Sequence, residues 1–212
     1  ACEQREHPEW RGKPVVVGAD PKQGKGRGVV MTASYEGRKY GIRSAMPISR
    51  AYKLCPTAIY APPNFPLYTA ASDAVMNILR SYSDKFEQVS IDEAFIDVSS
   101  KFGNSNREEI ESLAAAIKNE IGEKEKLSCS IGVASNKLVA KIASDFKKPD
   151  GLTIIEPGKE KAFLSQLPVR KLIAVGEKTE AVLKQMGVNT IGDLAALPQD
   201  FLAKEFGKIG LY

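Results

Sequence analysis

Apolar positions fall along this chain in two rhythms. Short continuous runs inside KPVVVGAD (13–20) and GVVMTA (28–33) have the length and β-branched content of strands. The loop between them, PKQGKGRG (21–28), spaces Gly24, Gly26 and Gly28 by two. It matches no phosphate-binding loop, because no Gly-Lys-Ser/Thr follows, and it reads as a mobile hairpin. SYEGRKYG (34–41) and PISRAYKLCP (47–56) read as short helices, the second stopped by Pro56. APPNFP (61–66) reads as a connector and a boundary. The opening ACEQREHPEW has the pattern of a helix end broken by Pro8, which predicts a strand and further helical turns upstream of Ala1.

A helix is predicted from Leu67 to Tyr82. In the following stretch, FEQVSIDEAFIDVSS (86–100), two acids stand side by side. Successive side chains of a strand point to opposite faces, so an unbroken strand would separate Asp92 from Glu93. Making EQVSI and AFIDVS antiparallel strands puts both carboxylates at the turn. Like charges that close repel unless a cation lies between them. Further on, NREEIESLAAAIKNEIGEKEK (106–126) places Ile110, Leu113, Ala114, Ile117 and Ile121 on one helical face. LSCSIGVAS (127–135) reads as a strand, NKLVAKIASDFKK (136–148) as a helix and GLTIIEP (151–157) as a strand. Hairpin, helix, strand, helix, strand predicts an α+β arrangement with helices on one face of a sheet, one strand short of a ferredoxin-like βαββαβ core.

In the helix 136–148, Lys137, Lys141, Ser144 and Lys148 recur at helical spacing opposite Leu138, Val139, Ile142 and Phe146, giving a basic stripe against an apolar face. Beyond Pro157 come the short helical stretches KEKAFLSQLP (159–168), LIAVGEKTEAVLKQMG (172–187) and TIGDLAALP (190–198). A glycine-containing hairpin, with Thr179 just inside the following helix and a second helix starting after Asn189, has the shape of a helix-hairpin-helix. Such a hairpin offers backbone N–H groups to a phosphate without reading sequence. The last residues, FGKIGLY, begin an element that the chain does not finish.

Charge sharpens this organisation. From Arg11 to Lys53 ten basic side chains face two acids, a balance of +8, whereas Ser81–Glu125 carries eleven acids and five bases, a balance of −6. A basic lobe beside an acidic one suits a protein that grips a polyanion on one side and holds metal on the other. Cys2, Cys55 and Cys129 are odd in number and far apart, and the single His7 is near only Cys2. A disulfide framework and a zinc site are both disfavoured. No apolar run of about 18 residues and no signal segment occurs, which predicts a soluble cytoplasmic protein, nuclear in a eukaryote, with no membrane partner.

GKPVVVG, TASYEGRKYGIRSAMP, SIDEAFIDVS, SIGVASNKLVAKIASDFKKPDG and the helical tail together resemble the Y-family translesion DNA polymerases of the DNA polymerase IV type. The pairing of SIDEAFIDVS with SYEGRKYGIRSAMP is the specific part. The resemblance implies a ferredoxin-like palm sheet with helices on one face (65–155), a small α/β fingers lobe (1–64) and an incomplete helical thumb with a helix-hairpin-helix (156–212). It implies that Asp92 and Glu93 are catalytic and bind two Mg2+ ions together with one further Asp upstream of Ala1. Tyr35 and Arg38, one helical turn apart, are implied to contact the triphosphate of the incoming nucleotide, with Lys148 reaching it from the palm. Thr32 and Ala33 are implied to cover the nascent base pair, their small size suiting a roomy site.

The implied partners are primer-template DNA and dNTP, with a sliding clamp engaged through a C-terminal region outside the chain; the implied state is a monomer. Three features depart from the family's pattern. The upstream Asp and the aromatic residue that excludes ribonucleotides would precede Ala1, the little-finger domain is absent, and the hairpin reads Ile173-Ala174-Val175-Gly176 where Pro-Gly-Ile-Gly is common. The chain therefore reads as a palm, fingers and partial thumb fragment of a low-fidelity, lesion-bypassing DNA polymerase. The alternatives are a non-catalytic nucleic-acid-binding scaffold of the same fold and a palm-fold nucleotidyl cyclase.

Overall fold

A computed structural model describes residues 1–102 and 107–208. The end of the FGKIGLY stretch, from Ile209 to Tyr212, lies outside the described residues, as does Asn106 at the start of the long amphipathic stretch. By packing, the chain divides into two units, Ala1–Leu127 and Ser128–Tyr212.

In the first unit α1 (Cys2–Glu6) gives way at Pro8 to a 3-10 turn, Pro8–Trp10. Strand β1 (Val15–Gly18) lies between β2 (Val30–Ala33), which is antiparallel to it, and β3 (Ile59–Ala61), which is parallel. The parallel partner was not legible in sequence, since IYA is three residues long and abuts the prolines of the connector. All four residues of β1 are buried. The connection from β2 to β3 carries α2 (Tyr35–Lys39) and α3 (Ile48–Leu54). Val16, Val30, Ile42, Ile48 and Ala51, each 0–1% exposed, form the centre of this lobe.

Helix α4 (Phe65–Tyr82) starts two residues before the predicted Leu67, because Asn64 Oδ1 accepts the Leu67 N–H at 3.2 Å and Pro66 occupies the first turn, where its missing N–H costs nothing. Strands β4 (Lys85–Gln88) and β5 (Ala94–Asp97) form the predicted antiparallel hairpin, followed by the short helix α5 (Ser99–Phe102). Helix α6 (Arg107–Glu125) buries Ala114, Ile117 and Ile121 of its predicted face, with Ile110 and Leu113 half-buried. The Tyr82 hydroxyl donates to Glu120 at 2.6 Å; that bond, with burial, pushes Tyr82 up to about 12. Arg5 pairs with Glu125 at 3.2 Å with both side chains mostly covered, tying α1 to the end of α6.

In the second unit β6 (Ile131–Val133) and β7 (Leu152–Ile154) pair in parallel around α7 (Lys137–Phe146). The strands expected in one palm sheet thus form two separate ladders among the described residues, β4–β5 in one unit and β6–β7 in the other. The face of α7 differs from the sequence reading. Val139, Ile142 and Ala143 are buried, but Leu138 and Phe146 are 42% and 50% exposed. The helix ends at Phe146, so Lys148 does not continue the Lys137–Lys141–Ser144 stripe: the i+11 spacing counts only while the helix lasts.

Beyond β7 lie α8 (Glu160–Ser165), a 3-10 turn (Val169–Lys171), α9 (Glu177–Gln185), α10 (Ile191–Ala195) and α11 (Gln199–Phe206). Val169, Leu183 and Val188 are the best-buried side chains of this region. The start of LIAVGEKTEAVLKQMG is a turn, and its helix begins only after Gly176. The second helix starts where expected, after Asn189. Thr190 accepts the Asp193 N–H at 3.0 Å and Asp193 accepts the Thr190 N–H at 2.9 Å, a reciprocal cap. None of the three cysteines forms a disulfide, and no helix among the described residues is long and apolar enough to cross a membrane.

Candidate nucleotidyl-transfer site

Thr32, Tyr35 and Arg38 sit on one continuous segment, β2 and α2. Regular alternation along VMTA would bury every second residue, yet Val30 and Ala33 are buried while Met31 and Thr32 are both exposed. The pairing explains this: Val17 faces Thr32 and Gly18 faces Val30, so Met31 is an extra residue in a β-bulge. A bulge re-aims side chains, and here it turns two neighbours outward while both flanking residues keep to the core. Ala33 therefore packs inside, and Met31 takes the place beside Thr32 that the sequence reading gave to Ala33.

The chain then turns into α2 at Ser34. Its Oγ accepts the Gly37 N–H at 3.2 Å and the Val15 N–H at 3.1 Å, so one hydroxyl caps the helix and fastens it to β1. Gly37 is buried against Ala33 and β1, and Tyr35 and Arg38 project outward, Tyr35 at 49% exposure. Arg38 Nε donates to the Ala33 carbonyl at 3.0 Å, and its guanidinium carbon lies 5.9 Å from the centre of the Tyr35 ring. The cation and the ring thus share one outer face, as the i, i+3 spacing predicted. Arg43 was missed in sequence. It donates to the carbonyls of Arg38 at 2.7 Å and Ile42 at 2.8 Å, satisfying acceptors at the end of α2.

Asp92 and Glu93 lie on the loop that joins β4 to β5. The Glu93 carbonyl accepts the N–H groups of Val89 (2.9 Å) and Ser90 (3.2 Å), which closes the loop. Ser90 Oγ donates to Asp92 Oδ1 at 2.7 Å and accepts the Asp92 N–H at 3.3 Å, holding that carboxylate in place. Asp92 is exposed and Glu93 half-buried. Two adjacent carboxylates on an exposed loop form a hard-oxygen donor set that fits a divalent cation such as Mg2+. Among the described residues no group of three or more His, Cys, Asp or Glu is placed to hold a metal. Asp97, the third acid of the motif, is at the far end of β5. There it accepts the Ser99 N–H at 2.9 Å and pairs with Lys85 at 3.1 Å; these bonds, Ser99's first, hold its carboxyl down at about 2. It is a structural acid.

Lys148 belongs to the second unit. It sits on the turn between α7 and β7, exposed, with its ammonium 2.5 Å from Asp145, which Lys141 also approaches at 3.5 Å. Burial alone would push Asp145 up, but the two lysines outweigh it and hold its carboxyl below the usual range. In the turn before α9, Ala174 has φ +73°, and Arg170, paired with Glu180 at 3.5 Å, donates to the Val175 carbonyl.

A β-hairpin with an acidic pair on its loop, and a capped helix carrying Tyr and Arg beside a bulged strand, belong to a mixed α+β fold. The chain belongs to the impB/mucB/samB family, which matches residues 1–145. It is 52% identical over 210 residues to "DNA polymerase IV 2" of Methanosarcina mazei, covering 99% of this chain and 56% of that protein. It is 49% identical to "DNA polymerase IV" of Methanoculleus marisnigri, covering 100% of this chain and 58% of that protein. Among solved structures, DinB from Sulfolobus solfataricus superposes with a TM-score of 0.90 at 38% identity, over 99% of this chain and 60% of that one. An insertion ternary complex of Dbh DNA polymerase matches with a TM-score of 0.88 at 39% identity, over 99% and 60%. The Y-family resemblance and the α+β class are borne out, and the chain spans somewhat more than half the length of these relatives.

Proposed function

We propose that the protein carrying this chain is a template-directed DNA polymerase of low fidelity that extends a primer past lesions by nucleotidyl transfer from dNTP. The observation that carries this reading is the joint presence of the Asp92–Glu93 loop and the outward Tyr35–Arg38 pair in a chain of this family. In this reading 1–64 are fingers, 65–155 palm and 156–212 part of a thumb. The protein works as a monomer in the cytoplasm, or the nucleus of a eukaryote, and meets a sliding clamp through a region outside this chain.

The roles follow from the chemistry of each side chain. Arg38, its Nε already engaged by the Ala33 carbonyl, directs its remaining N–H groups to the nucleotide's phosphates, and Lys148 supplies a second cation from the palm. Tyr35 braces the Arg38 guanidinium and bonds the same phosphates through its hydroxyl. Met31 and Thr32 form a low ledge under the new base pair that tolerates an altered template base. Asp92 and Glu93 would hold two Mg2+ ions with a further carboxylate; when bound, these offset charge on the phosphoryl oxygens and favour the attacking form of the primer hydroxyl.

The test is Asp92→Ala in the complete protein. Asp92 is exposed and packs little, so the thermal unfolding midpoint should stay unchanged while primer extension falls by about a thousandfold or more. Extension at the unsubstituted rate would overturn the assignment.

A further inference from the structure

We infer that the loop joining β1 to β2 grips the unpaired template strand beside the nucleotide site, through Lys22, Lys25 and Arg27. This inference rests on the polymerase reading above and names a nucleic-acid contact for it.

The loop was expected to be mobile, but its backbone is fixed. The Pro21 carbonyl accepts the N–H groups of Gly24 (2.8 Å) and Gly26 (2.7 Å), and Asp20 Oδ1 accepts the Lys22 N–H at 2.8 Å. A side chain on Gly26 would come 2.1 Å from the Asp20 carbonyl, so only glycine fits there. The Gly28 carbonyl accepts the Ile48 N–H at 3.0 Å, which seats the loop on α3. Lys22 and Gln23 both adopt positive φ, 43° and 54°, a region that L-residues disfavour. Such strain persists only where surrounding bonds fix it, and it clusters at functional sites.

This fixed loop presents charge with no partner of its own. Lys22, Lys25 and Arg27 are exposed, and none of them forms an ion pair among the described residues. Arg50 and Lys53 on α3, also exposed, enlarge the same cationic neighbourhood. The nearest acid in sequence, Asp20, has its Oδ1 committed to the backbone. A polyanion meets cations whose position needs little further ordering.

What distinguishes a single strand from a duplex is the surface next to the loop. Val29, just before β2, and Met31 within it follow Arg27 and are 52% and 40% exposed. β2 lies at one side of its sheet, where Val30 also bonds to Ala45 and Met46. Unpaired bases can lay their faces on apolar side chains while their phosphates run along cations, whereas a duplex keeps its base faces stacked inside. Thr32 follows Met31 on β2, so the loop meets the template close to the base above Thr32.

The experiment compares the complete protein with its Lys22→Ala/Lys25→Ala/Arg27→Ala variant, and with a charge-keeping Lys22→Arg/Lys25→Arg/Arg27→Lys variant. Fluorescence anisotropy reads binding to a primer-template with a long 5′ template overhang and to the same duplex made blunt. The alanine variant should bind the overhang substrate about tenfold more weakly, with a salt slope shallower by about 2. It should bind the blunt duplex as the unsubstituted protein does, and the charge-keeping variant should behave normally on both. Equal loss on both substrates would assign the loop to the duplex, and no loss on either would remove it from the nucleic-acid surface; each overturns the inference. Single-nucleotide incorporation by the unsubstituted protein is scored alongside. Its absence would remove the polymerase reading while leaving the binding comparison to decide the loop.

Discussion

Between Val30 and Gly37 three of the eight residues are buried, whereas between Val89 and Glu93 none is. The first segment carries the outward Tyr35 and Arg38, and it is built on the core: Val30 and Ala33 pack inside, and Ser34 bonds to β1. The second carries the carboxylates on a surface loop closed by hydrogen bonds that include Ser90 to Asp92 and Val89 to Glu93, with Val89 and Ile91 53% and 46% exposed. The outward Tyr35 and Arg38 are thus fixed by packing beneath them, while the Asp92–Glu93 loop lies at the surface. Stability and chemistry should therefore be coupled in one region and separable in the other.

The strongest way to break the comparison is Ile42→Ala. Ile42 is 0% exposed in the core beneath α2, so the change should cost about 2–5 kcal/mol of unfolding free energy. Nucleotide use should fall with it near the unfolding midpoint, in contrast to Asp92→Ala, which should silence extension without moving that midpoint. Denaturant unfolding beside primer extension checks both. If Ile42→Ala lost stability and kept normal nucleotide dependence up to its midpoint, the coupling would fail.

Arg38→Ala comes next. It should raise the Michaelis constant for dNTP by about tenfold, as expected for loss of a hydrogen bond to a charged group, with duplex affinity unchanged. Steady-state kinetics with DNA in excess would expose the opposite pattern, which would move Arg38 to the template.

A smaller effect concerns acid. The Asp97 carboxyl, held at about 2 in the folded chain chiefly by Ser99 and then by Lys85, has an ordinary value near 3.9. Its folded value is depressed, so its contribution is present above about pH 4 and is lost as pH falls towards 2. The difference in unfolding midpoint between the natural protein and Asp97→Asn should be larger at neutral pH than near pH 2. A difference independent of pH would show that Asp97 acts through shape alone.

The smallest change sharpens the comparison on its packed side. A methyl added at Gly37 would meet Ala33 Cβ and the Val15 carbonyl at 3.4 Å, ordinary contact. Gly37→Ala should therefore stabilise by about 0.5 kcal/mol through helix propensity, with unchanged kinetics. Destabilisation in thermal melts would mean that the space under α2 is tighter than described.

The sequence carried the carboxylate turn and the Tyr35–Arg38 face because each is local. A turn between two alternating runs and a serine before an i, i+3 pair declare themselves within a few residues. It did not carry the bulge, since VVMTA reads equally well as a regular strand and only pairing with Val17 and Gly18 reveals the extra residue. β3 escaped for a related reason: its three residues form a strand only because β1 lies beside them. Lys148 was assigned to a helix because the basic period outlasted the helix itself, which stops at Phe146. The exposure of Leu138 and Phe146 shows that an apolar period marks a face without saying how much of it is covered.

The bulge at Met31 bears on how this ledge can change its length. Because Met31 is the surplus residue, a chain lacking it would restore the plain ladder, with Val30 and Ala33 still turned inward and Thr32 still outward. Insertions and deletions are usually confined to loops, since shifting a strand by one residue exchanges its two faces. Here the slack sits inside a strand and entirely on its outer side. The outer side of β2 can gain or lose one side chain with the interior left in register, so this surface can be resized by a single codon.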